Sequence, residues 1–167
     1  NPVTVGVIGG GGGMGAWLAS FLAESGCAVH VADVNTEFSA ADLAATCDIV
    51  LVAVPIGATL DVIAEVGPLV RPGCALADIT SLKERELKKM LDSTAADTEV
   101  FGTHPLFGPR AASAQGRNFI TCPGRGTKWL NWFEGVLGKA GAIVTQTDAG
   151  QHDEMMSIVQ GLEHFST

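Results

Sequence analysis

The sequence has no apolar run long enough to cross a bilayer, no C-x-x-C pair, no block of basic residues and no proline-rich linker. The longest apolar stretch, Ile49 to Ala58, is interrupted by Pro55 and Gly57. It falls short of the ~20 residues that a membrane helix needs. Cys27, Cys47, Cys74 and Cys122 fit no zinc-binding spacing. Each sits in or beside an apolar run, where a thiol behaves as a small hydrophobe. The expectation is a reduced, cytoplasmic chain. Lys and Arg number 10 against 18 Asp and Glu, a formal charge of −8. Such a surface repels phosphate backbones, which argues against nucleic-acid binding. No basic amphipathic stretch points to a membrane surface. The opening NPVTVGVIGG lacks the basic region and cleavage site of a signal peptide. It enters a strand pattern at once, so the expectation is that a few natural residues precede Asn1.

What is present is a well-buried globular chain of 167 residues, 47% apolar and 17% charged, with mean hydropathy +0.30. That composition excludes disorder. Glycine is the one excess, at 21 residues, nearly twice the usual share of roughly 7%. No G-x-y period runs through it, so the glycines serve turns and close backbone approach.

Apolar periodicity predicts strands at 3–8, 28–32, 47–54, 74–79, 99–103, 118–122 and 142–146. Helices are expected at 14–24, 59–66, 82–91 and 128–139, and from Ala149 onward. Strands alternating with helices imply crossover units and a Rossmann-like, doubly wound, mostly parallel α/β sheet. The last helix runs apolar to Thr167 without a glycine cap or proline stop. Residues 1–148 are therefore read as a nucleotide-binding domain. Residues 149–167 are read as the first helix of a C-terminal helical domain that the sequence does not include.

The run Gly9 to Gly15 contains G-x-G-x-x-G at Gly10, Gly12 and Gly15, after a strand and at the start of a helix. In that context the motif reads as a dinucleotide cradle rather than a ligand-free turn. Gly10 makes the turn, Gly12 admits the pyrophosphate, and Gly15 lets the helix approach the strand. Gly13 and Met14 complete the loop. Asp33 ends the second strand, where an acid accepts hydrogen bonds from ribose hydroxyls and repels a 2′-phosphate. No Arg or Lys follows from Val34 to Thr46, so NAD is expected over NADP. The plainer role for Asp33 is to cap a turn. Val54 and Pro55 close the third strand, where ligands lie beyond the carboxyl ends of open sheets.

The same edge rule places Ser81 near the reactive end of the cofactor, although Thr80 or Ser81 also suits the N-cap of the next helix. Lys83 is a candidate to attract an anionic substrate, whereas Arg85, Lys88 and Lys89 read as a solvated face. His104 stands among two prolines and two glycines in GTHPLFGP. A rigidly held His at a sheet's ligand edge suits proton transfer. His152 and His164, twelve apart on the last helix, face different ways, which argues against a shared metal. Gln160 and His164 share a face. His152 reads as structural, at a helix start.

The segments VIGGGGGMG, VAVPI, DITSLK, GTHPLFGP and HDEMMSIVQGLEHF follow one another in family-like order. By these the chain resembles the nucleotide-binding domain of the prephenate and arogenate dehydrogenases of tyrosine biosynthesis. The resemblance implies that His104 accepts the proton of the substrate ring hydroxyl. It implies that Ser81 hydrogen-bonds that hydroxyl or the His and orients the nicotinamide. Gln160 and His164 would line the substrate pocket, and the glycine loop, Asp33, Val54 and Pro55 would bind NAD. It also implies a homodimer formed through a helical C-terminal domain that supplies an Arg to the site. The alternatives are arogenate as substrate, a related β-hydroxyacid dehydrogenase, or a Rossmann module that binds NAD without chemistry.

Overall fold

A computed structural model describes residues 1–166, with side chains to residue 162. Its strands are β1 (Thr4–Ile8), β2 (Ala28–Ala32), β3 (Ile49–Val52), β4 (Ala75–Asp78), β5 (Glu99–Pro105), β6 (Asn118–Arg125) and β7 (Ile143–Gln146). Its helices are α1 (Gly13–Glu24), α2 (Ala40–Thr46), α3 (Ile56–Val66), α4 (Glu84–Ser93), α5 (Lys128–Lys139) and α6 (Ala149–Ser166). A short 3₁₀ turn at Gly67–Leu69 follows α3. The strands form one sheet in the order β2-β1-β3-β4-β5-β6-β7. All pairings are parallel except β5 with β6. The expected Rossmann-like, doubly wound, mostly parallel sheet is the fold observed.

Strand chemistry explains the layering. Successive side chains of a strand point to opposite faces, and β3 and β4 are buried on both. Val50, Val52 and Leu76 join a core under α2, α3 and α4. Ile49, Leu51, Ala75 and Ala77 join the opposite core, with Leu18 and Leu22 of α1 and Phe133 and Leu137 of α5. Each Val, Leu, Ile or Phe among them contributes about 1.5–3 kcal/mol on burial. α4 shows the complementary pattern, with Leu87 and Met90 buried and Arg85 and Lys88 exposed. That is the solvated face expected for these cations.

Two departures have physical causes. The third strand is Ile49–Val52 rather than 47–54, because Cys47 closes α2 and Ala53 leaves the ladder ahead of Pro55. α2 itself is not among the expected helices, since AADLAAT is short and has no clear apolar stripe. It is held by a reciprocal cap. Ser39 Oγ accepts the Asp42 N–H at 3.1 Å, and the Asp42 carboxylate accepts the Ser39 N–H at 2.9 Å.

Candidate functional site

The carboxyl ends of β1, β3 and β4 open onto a cavity of about 570 Å³. Gly12, Gly13, Asp33, Val54 and Ser81 are among its lining residues. Gly15 is packed hard beneath it, since a Cβ there would lie 2.6 Å from the Gly9 carbonyl oxygen. This close approach seats α1 on β1. A Cβ on Gly12 or Gly13 would meet nothing within 4 Å, so these two leave space on the cavity side. Met14 and Pro55 also line the cavity, whereas Gly10 does not. Gly10 packs against Val7 and Val31, as a turn residue does.

The cavity is built for an anion. α1 starts at Gly13 with no side-chain cap and no acid in its first turn. α3 starts beyond Pro55 in the same condition. The orphan N–H groups and the positive dipole end of α1 therefore face the space a pyrophosphate needs. Asp33 serves the loop as well as the cavity. Its Oδ2 accepts the Gly11 N–H at 2.8 Å and its Oδ1 the Val34 N–H at 2.8 Å. The turn-capping role and the cavity-lining position thus coincide in one carboxylate. Beside it a smaller hollow of about 210 Å³ is walled by Val34, Phe38 and Val54. The residues present fit a dinucleotide.

His104 lies near the end of β5, the strand beside β4. It is half-buried and does not line the cavity itself. Its Nδ1 sits 2.8 Å from Nε2 of His152, whose Nδ1 sits 2.7 Å from Asp153 Oδ1. Asp153 also accepts the Lys83 N–H on Oδ1 at 2.8 Å and the Glu84 N–H on Oδ2 at 3.0 Å. Burial, then the neighbouring His152 and Lys83, push the His104 imidazole down to about 4. It is therefore neutral near pH 7, as a proton acceptor must be.

α6 begins at Ala149, as expected, and His152 in its first turn is fully buried against His104. Two expectations change here. Neither Thr80 nor Ser81 caps α4. Lys83 is the N-cap, without a side-chain cap of its own, and the Asp153 carboxylate fills that role from α6. Thr80 instead hydrogen-bonds Asp78 and the Leu82 carbonyl. Lys83 is not available to an anionic substrate. Its Nζ is wholly buried, 2.6 Å from Asp78 Oδ2 and 2.7 Å from the Thr103 carbonyl. Gly102 makes the room, since a Cβ there would lie 3.0 Å from Lys83 Cδ. This ion pair ties the turn bearing Ser81 to the strand bearing His104. Ser81 is exposed at the cavity, and Gln160 is exposed on α6, away from it. The His164 side chain lies outside the described residues. Among the described residues no group of three or more His, Cys, Asp or Glu could hold a metal. No described helix is long and apolar enough to cross a membrane.

A family model for the nucleotide-binding domain of prephenate dehydrogenase matches residues 20–146. The chain belongs to the prephenate dehydrogenase family. A probable arogenate/prephenate dehydrogenase of Methanocaldococcus jannaschii is 39% identical over 181 residues, covering 98% of this chain and 41% of that protein. The T-protein of Haemophilus influenzae is 36% identical over 162 residues, covering 96% of this chain and 42% of that protein. The chain thus spans about two fifths of the length of these two relatives. Among solved structures, prephenate dehydrogenase from A. aeolicus, in complex with hydroxyphenyl propionate and NAD+, superposes with TM-score 0.75. That match has 18% identity and covers 100% of this chain and 71% of that one. At that identity the likeness concerns the fold.

Two outcomes follow from the ion pair and the imidazole. Lys83→Met strands a buried carboxylate and is expected to cost about 3–5 kcal/mol in denaturant unfolding. The second concerns pH. His104 binds its proton less readily in the fold (about 4) than in the unfolded chain (6.5). Stability is therefore full above pH 6.5 and falls as pH drops from there towards 4. Buried Glu86, whose carboxyl burial pushes up, works in the opposite sense. The difference between wild type and His104→Asn isolates the imidazole: the wild-type melting temperature is expected to fall more steeply across that window.

Proposed function

We propose that the protein is an NAD-dependent dehydrogenase that converts prephenate to 4-hydroxyphenylpyruvate by oxidative decarboxylation. The observation that carries this reading is the neutral, half-buried imidazole of His104, one strand from a cavity fitted to a dinucleotide. The kinship with a probable arogenate/prephenate dehydrogenase supports the same substrate class, with arogenate as the second candidate.

The loop from Gly9 to Gly15 and the start of α1 would hold the pyrophosphate. Asp33 would take the ribose hydroxyls, and Val54 and Pro55 would flank the cofactor. Ser81 Oγ would orient the substrate hydroxyl and the nicotinamide, and Gln160 and His164 would serve the substrate pocket. NAD, when bound, accepts a hydride from the ring carbon that bears the hydroxyl. His104 Nε2 takes the hydroxyl proton as that hydride departs. Loss of the ring carboxylate as carbon dioxide leaves its electron pair to aromatise the ring. The ring oxygen then recovers its proton from His104, so no net proton is released. The protein's part is to position the reactants and keep the imidazole ready. The natural assembly in this reading is a cytoplasmic homodimer formed through a following helical domain. The four free cysteines accord with a reducing compartment.

His104→Asn is expected to retain NAD affinity and lose about 10²–10⁴-fold in turnover of prephenate or arogenate, assayed on the intact protein. Near-normal turnover sinks the assignment, and NAD binding without turnover of either substrate by the wild type favours a non-catalytic module. In equilibrium titration NAD is expected to bind more tightly than NADP, because Asp33 repels a 2′-phosphate. The reverse order removes Asp33 from the specificity argument.

A further inference from the structure

The hydrogen bonds behind His104 determine where its protons sit. The Asp153 carboxylate lies at the N-terminus of α4 and accepts the Lys83 and Glu84 N–H groups there. Burial opposes its ionisation. The Glu84 N–H, the His152 side chain and the Lys83 N–H outweigh that and hold its carboxyl below the usual range. An ionised carboxylate only accepts hydrogen bonds. His152 therefore presents Nδ1–H to it, at 2.7 Å. A neutral imidazole protonated on Nδ1 has a bare Nε2. That atom faces His104 Nδ1 at 2.8 Å, so with His152 in this neutral form the bond requires a proton on His104 Nδ1. The rings stand at 81° with centroids 5.0 Å apart, an edge-on approach suited to this bond rather than to stacking. Nε2 of His104 is left bare. It has no partner among the described residues and is not one of the buried unpaired atoms.

We propose that His152 and Asp153 are positioning residues that hold His104 in the Nδ1–H tautomer, so that Nε2 is the base. This deepens the dehydrogenase reading and rests on it. When Nε2 takes the hydroxyl proton, the Nδ1–H···Nε2 bond to His152 becomes charge-assisted and strengthens. Asp153 supplies the compensating negative charge through His152. Lys83 is the other charged neighbour and opposes imidazolium formation. No proton travels along the chain: the one gained at Nε2 returns to the substrate oxygen on aromatisation. The pair thus offsets, at the moment of charging, the burial that keeps His104 neutral at rest.

The test combines a spectroscopic and a kinetic readout on the intact protein. With isotope-labelled histidine, both His104 and His152 are expected to show a protonated Nδ1 and a bare Nε2 near neutral pH. His152→Leu deletes the acceptor, and His152→Gln keeps an acceptor oxygen but not the link to Asp153. Expected kcat losses are about 10²-fold for His152→Leu and about tenfold for His152→Gln, with KM changed by less than about threefold. The His104 signal is expected to move towards Nε2–H in His152→Leu. A wild-type His104 protonated on Nε2, or a His152→Leu variant with unchanged kcat, overturns the proposal. If His152→Leu loses NAD binding altogether, the wild-type tautomer and the glutamine variant decide. If the wild type turns over neither prephenate nor arogenate, the dehydrogenase reading fails, while the tautomer measurement still decides the hydrogen-bond pattern.

Discussion

One carboxylate joins the parts of this site that the chain keeps far apart. Asp153 receives three N–H groups: two from the start of α4 and one from the His152 ring. Residues 83 and 84 are about 70 positions away in sequence. Its charge is stabilised by the end of a helix whose own N-cap residue supplies no side-chain acceptor. Without that anion, α4 would begin with orphan donors, and His152 would have no fixed tautomer to present to its neighbour. Helix start, imidazole orientation and helix packing thus share a single electrostatic support.

A second constraint lies one layer deeper. The Lys83–Asp78 pair is fully buried, so its worth is not that of a surface bridge. Taking two charges out of water is costly, and such pairs are often no more stabilising than an apolar substitute. What this pair does provide is registration. It fixes the end of β4 against the Thr103 carbonyl on β5, and so sets Ser81 and His104 at neighbouring strand ends. Asp78 Oδ1, Thr103 Oγ1 and both Glu86 oxygens nonetheless have no hydrogen-bond partner among the described residues. The region is polar and incompletely paired, as is common near sites where geometry outranks stability.

Much of the architecture could be read from the residues because local and global signals agree. VTVGVI and CDIVLVAV are apolar on both faces, which only a covered parallel strand tolerates, and β2 and α5 fall on their expected limits. The glycine loop was legible because its order of strand, turn and helix is physically demanding. What could not be read were contacts across long stretches of chain. His152 touches His104 over 48 positions, and nothing in HDE by itself signals a partner. Lys83 reads as a cation open to an anionic substrate, because nothing in DITSLK signals that its ammonium is buried. Its burial depends on Gly102, a glycine without a turn signature. The Ser39–Asp42 spacing, by contrast, was an available cue for α2.

Gly102 draws these threads together. Its missing methyl is what lets an ammonium group thread between two strands, with a Cβ there only 3.2 Å from Asp78 Oδ1. Substitution there should therefore be costly even though Gly102 does not line the cavity. Drift at that spot would leave the cleft open and well shaped while its two working strands lose their alignment.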